Sequence, residues 1–107
     1  MSAKAAGTRK ENLVKRRLEA ENWLVTRGAA SLGEADLVAL KRGETPMLVQ
    51  VKANAGARFM NFRPVEREAL RTAAYCAGAE AWLVHWPPRA QPVWLAEQDW
   101  PAVGNLA

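Results

Sequence analysis

The sequence predicts an α/β fold: a small mixed β-sheet flanked by helices, in the order α-β-β-β-α-β-β. Three observations carry that reading. Residues 33–40 and 47–52 are apolar runs of strand length around a turn that holds Gly43 and Pro46, the pattern of a β-hairpin. Stretches with helical spacing stand before and after that hairpin. Residues 81–86 are an apolar run interrupted by His85, as expected of a strand inside a sheet.

The first helix is expected over residues 8 to about 23, with Thr8 as N-cap and Glu11 placed for a capping box. At 3.6 residues per turn Glu11, Val14 and Leu18 share one face, so Glu11 lies in line with the apolar stripe. It is either a capping glutamate or an acid turned towards the core. Residues 23–26 form a short strand, suited to a sheet edge, and a loop over 27–34 with Gly28, Ser31 and Gly33 leads into the hairpin. After Lys52 the chain is irregular and partly basic over 54–63. Pro64 fits the first position of a second helix, which runs to about Cys76 and stops at Gly78. Its apolar side is expected to hold Val65, Ala69, Leu70, Ala73 and Cys76. Strands over 81–86 and 93–95 follow, joined by a Pro-rich turn, and a tail from about 97 has no clear pattern.

The chain has 107 residues, half of them apolar, which suits a single domain spanning 1–107 with a core of its own. No apolar run is long enough to span a bilayer, and residues 1–7 lack the apolar core of a signal peptide. One cysteine, Cys76, excludes an internal disulfide and a Cys-based zinc site, and a cytoplasmic setting fits. The net charge is +4, with Lys4, Arg9, Lys10, Lys15, Arg16, Arg17 and Arg27 in the first quarter. Such a cluster either neutralises phosphates or is a solvated helix face.

The hairpin carries the chemistry. Alternation places Asp36, Val38 and Leu40 on one face of its first strand, and Leu48, Gln50 and Lys52 on one face of its second. With the turn near Gly43 and Glu44, Asp36 is expected opposite Lys52, and Val38 opposite Gln50. Polar groups on a half-buried strand pair are costly unless partnered. A hard cation such as Mg²⁺ needs only one or two carboxylates and keeps several waters. Asp36 offers one carboxylate, Gln50 a side-chain carbonyl and Val51 its main-chain carbonyl, with Glu11 able to add a second acid. Lys52 suits orienting or deprotonating an attacking water, or steadying charge on a phosphate. His85, in an apolar strand with no second histidine, reads as a hydrogen-bonded core residue.

Asp36 followed by Gln50-Val51-Lys52 resembles the active-site signature of the PD-(D/E)xK nuclease superfamily, which has a restriction-endonuclease-like fold. The wider pattern, 7–11, 26–28, 33–39 and 50–52, resembles archaeal-type Holliday junction resolvases and the small stand-alone VRR-NUC nucleases of phages and bacteria. The resemblance implies a divalent-metal-dependent endodeoxyribonuclease, using Mg²⁺ or Mn²⁺ and selective for branched DNA. It implies Asp36 as metal ligand, Gln50 where a glutamate or aspartate is usual, Lys52 as the catalytic lysine and Glu11 as the acid of the first helix. It also implies a homodimer, so Trp82, Trp86 and Trp94 belong either to the core or between subunits. Arg9, Lys10, Lys15, Arg27, Ser31, Arg58 and Arg63 are the candidate DNA contacts. Glutamine at position 50 keeps an oxygen but removes a charge, and tilts the resemblance towards VRR-NUC. Three other readings stand beside this one: a nicking, repair or restriction-type nuclease on duplex or flap DNA, a catalytically weak DNA-binding module of the same fold, and an interaction protein that never meets nucleic acid.

Overall fold

The computed structural model describes residues 3–28 and 35–101, with side chains from residue 7 onward. The elements run α1 (Ala3–Ala20), β1 (Leu24–Arg27), β2 (Leu37–Leu40), β3 (Met47–Lys52), α2 (Pro64–Ala77), β4 (Glu80–His85) and β5 (Val93–Ala96), followed by a 3-10 turn at Glu97–Asp99. The strands lie in the order β1-β2-β3-β4-β5. Neighbours β1, β2 and β3 are antiparallel, β3 and β4 are parallel, and β4 and β5 are antiparallel. The sheet is therefore mixed, in the predicted element order. Parallel strands need a long crossover, and α2 supplies it between β3 and β4.

Strand β3 is buried at five of its six positions, which suits the middle of a sheet covered on both faces. Met47, Val49 and Val51 pack with Val14 and Leu18 of α1, and with Leu37, Val84 and Trp86. Leu48 turns the other way and packs with Leu70 and Ala74 of α2, Leu83 and Phe62. By alternation Gln50 and Lys52 share the α2 side with Leu48. Trp86 is buried, and Trp82 and Trp94 pack partly buried on the α1-side core.

Several expectations change. Helix α1 starts at Ala3, not at Thr8, because the Ala-rich run over 3–6 favours helix and carries it past the threonine. Thr8 is thus inside the helix, and the capping-box reading of Glu11 falls. The helix ends at Ala20: Asn22 takes a left-handed φ of 72°, and the Trp23 N–H returns to the Leu18 carbonyl at 3.1 Å. The hairpin register is shifted by two residues, with Leu37 opposite Val49 and Val38 opposite Leu48. Val38 therefore does not face Gln50, and the pairing of Asp36 with Lys52 is not formed. The cause is a tight turn at the start of the connection, where the Glu44 N–H reaches the Lys41 carbonyl at 3.0 Å and Gly43 has φ 80°. A shift of two leaves the side chains within β2 and β3 on their predicted faces, since the period is two.

Helix α2 buries Arg67, Leu70 and Ala74, with Ala73 partly buried on the same core as expected, whereas Val65 and Cys76 are exposed. Leu70 settles the rotation by sitting fully buried in the core, which leaves Val65 72% exposed and Cys76 exposed. The stretch after β5 is not a plain tail either. Trp100 is buried, with its ring edge-on to Phe62 at 5.0 Å.

Candidate active site

Asp36 stands just ahead of β2 and is held by both its backbone and its side chain. Its N–H donates to the Val49 carbonyl at 2.8 Å, and its own carbonyl accepts from the Gly28 N–H at 2.8 Å. Its carboxylate Oδ2 accepts the Val51 N–H at 2.8 Å. The side chain thus takes the place of a strand partner where the β2–β3 ladder has ended at Leu37 and Val49. A residue's N–H and C=O leave a strand on the same side, so the Val51 carbonyl faces the Asp36 edge. The contact from Gly28 requires glycine. A Cβ there would lie 2.2 Å from the Ala35 carbonyl oxygen.

Gln50 is 6% exposed, and its Oε1 is buried with no hydrogen-bond partner among the described residues. An unmet buried acceptor costs about 1–3 kcal/mol. A cation would satisfy it. Lys52, next along the same face, has its Nζ 3.4 Å from Glu66 Oε2. Its carbonyl accepts the Trp86 N–H at 2.8 Å, so the end of β3 is anchored to β4. His85 pairs with Lys52 across the parallel ladder; its Nε2 lies 3.0 Å from the Asn54 carbonyl oxygen, in the buried, hydrogen-bonded role expected of it.

Glu11 is half-buried one turn before Val14, and its Oε1 accepts from the Arg27 guanidinium at 2.9 Å. The same guanidinium donates to Asn12 Oδ1. Glu11 is thus engaged with the end of β1, and among the described residues no group of three His, Cys, Asp or Glu side chains gathers around a cation position. The fit to a divalent ion rests instead on Asp36, the unpartnered Gln50 Oε1 and the Val51 carbonyl, all hard oxygen donors of the kind Mg²⁺ takes.

The basic residues divide. Lys10 and Arg17 both lie over the Trp86 ring, at 4.7 and 4.8 Å from its centroid. Lys15 pairs with Glu19 at 3.0 Å. Arg9, Arg58 and Arg63 are exposed, and Arg63 lines a cavity of about 570 Å³ with Lys52, Asn54, Met60, Asn61 and Glu66. That cavity opens beside Lys52, while Asp36 and Gln50 are outside its lining. Ser31 lies outside the described residues.

Glu66 and Arg67 are the residues that sequence reading missed. Glu66 sits in the first turn of α2, where an acid reads simply as a complement to the helix dipole. Only its contact with Lys52 marks it. Arg67 is 3% exposed, with its guanidinium 5.6 Å from the Phe59 ring centroid and Nη1 lacking a hydrogen-bond partner. Burial, and then the neighbouring Arg71 charge, lower its pKa from the usual arginine value.

The model of the archaeal Holliday junction resolvase (Hjc) family matches residues 2–99. Among solved structures the chain is similar to Archaeoglobus fulgidus Hjc, a Holliday junction resolvase from an archaeal hyperthermophile. The identity is 28% and the TM-score 0.71, over 86% of this chain and 73% of that one. No curated protein sequence matches the chain.

Proposed function

The chain belongs to the archaeal Holliday junction resolvase family, and we propose that its active centre is built from Asp36, Gln50, Val51 and Lys52 around a divalent cation. It is a structure-selective nuclease that hydrolyses phosphodiesters in branched DNA. The observation that carries the assignment of the centre is the Asp36 carboxylate seated on the Val51 N–H, next along β3 to the unpartnered Gln50 Oε1.

Asp36 and the Val51 carbonyl would hold the ion from the β2 side, and Gln50 Oε1 from the strand itself. Mg²⁺, or Mn²⁺ in its place, supplies polarisation of the phosphoryl group and a more acidic water when bound. Lys52 steadies the charge that develops on the phosphate and orients the attacking water. Arg63, at the cavity, and the exposed Arg9 and Arg58 neutralise flanking phosphates. Lys10, Lys15 and Arg27 add positive potential to the same surface.

A junction offers two equivalent strands to cut, which suits a two-fold homodimer. On α2, Val65 and Tyr75 are 72% and 88% exposed and offer apolar surface for such a contact. We place the enzyme in the cytoplasm, with the DNA.

The test compares a synthetic four-way junction, a flap and a linear duplex at one salt concentration, with Mg²⁺, Mn²⁺ or EDTA. Metal-dependent cleavage that favours the junction is expected, and Asp36→Asn or Lys52→Ala should abolish it. Unchanged cleavage by either variant would remove this centre from the reaction. Gln50 supports a second reading, a binding module with weak catalysis, because the strand carries one negative charge fewer than its signature usually has. In that case binding survives EDTA and no divalent metal yields product.

A further inference from the structure

We propose that Glu66 supplies the second carboxylate of the cation site, the negative charge that position 50 lacks. The inference rests on the metal-dependent reading above. A divalent ion with few protein ligands is attracted chiefly by carboxylate charge, and β3 offers an amide where a second acid would stand. Helix α2 packs on the sheet face that carries Gln50 and Lys52. Glu66 stands in its first turn, its side chain 20% exposed and turned to Lys52 rather than out to water.

Two buried oxygens without a hydrogen bond belong to this layer. Glu66 Oε2 is buried and accepts no hydrogen bond, and Gln50 Oε1, in a side chain more than nine-tenths buried, is in the same state. Buried acceptors left without a hydrogen bond are costly, and a cation bound between strand and helix would satisfy both. Nothing in the helix calls for Glu66 to turn inward. An acid that only complements the helix dipole gains as much pointing at solvent. Its one ionic contact, Lys52 Nζ at 3.4 Å, is long for a charge-assisted hydrogen bond. Lys52 thus acts as the counter-ion of Glu66, a place that a doubly charged ion would take. Binding of the cation then frees the ammonium group to face the DNA phosphate.

Mn²⁺ binding to the DNA-free full chain, measured by electron paramagnetic resonance and calorimetry, tests this without relying on activity. Glu66→Gln should weaken Mn²⁺ at least about tenfold. Adding Gln50→Glu to that variant, which returns a carboxylate from the strand, should restore affinity to within about threefold of the wild type. Thermal melts verify folding, and Glu66→Ala removes the same charge should the glutamine variant not fold. Wild-type affinity in the single variant, or no recovery in the double, would leave Glu66 as a mere anchor for Lys52 and overturn the proposal. If the wild type binds Mn²⁺ and only Asp36→Asn abolishes it, the metal reading stands without Glu66. If neither the wild type nor any variant binds Mn²⁺, the metal reading itself fails.

Discussion

At Asp36 one carboxylate oxygen closes a strand amide that the hairpin ladder has left behind, so the side chain serves structure as well as the proposed chemistry. The two roles separate by substitution. Asp36→Asn keeps an oxygen for the Val51 N–H and should stay close to wild type in urea unfolding while losing cleavage. Asp36→Ala orphans that N–H and should cost about 1–3 kcal/mol in the same measurement. Arg67 presents the reverse case, a buried cation with an unmet Nη1 and a lowered pKa. Because its folded pKa lies below its unfolded one, the folded state carries a penalty at every pH where arginine is charged, which includes the whole working range. Replacing such a group by an apolar side chain of similar length is often neutral or better. Arg67→Met should therefore unfold at no lower urea concentration than wild type, loss of the Phe59 contact notwithstanding.

At the scale of elements, the proposed centre depends on where strands end. β1 delivers Gly28 against Ala35 and Asp36, and no Cβ fits between them. Gly28→Ala should lower stability by about 1–3 kcal/mol, as overpacking commonly does, and should reduce junction cleavage by displacing Asp36. A melting temperature beside a rate measurement checks both. The helix–sheet layers then decide which charges meet. α1 covers the Val49 and Val51 face, and Glu11 of that helix is engaged by Arg27. α2 covers the other face and brings Glu66 to Lys52. One of the predicted basic contacts of α1 is also explained at this scale, since Lys10, together with Arg17, seats the helix on Trp86.

Across the whole molecule the excess of basic residues gives a net charge of +4, and DNA binding should weaken as salt rises. Arg63→Ala should lower affinity for junction and duplex alike and flatten the salt dependence by about one counterion, read from titrations at several salt concentrations. Should the dimer form through the exposed side of α2, Tyr75→Glu would place like charges face to face across the two-fold axis and shift sedimentation towards monomer. Within the described residues no helix is long and apolar enough to cross a membrane.

What the chain alone determined follows from local periods. Alternation over 47–52 and helical spacing in 64–77 placed the strands, the crossover helix and the shared side of Leu48, Gln50 and Lys52, and a two-residue slip in register cannot disturb that side. Such patterns are read from neighbours in the chain. The tertiary structure alone decided the register, the rotation of α2 about its axis and the company each charge keeps. Glu11 with Arg27 and Glu66 with Lys52 are contacts across 16 and 14 residues of chain. They depend on how two helices settle on opposite faces of one sheet, and the free energy of that packing is not written in any single window of sequence.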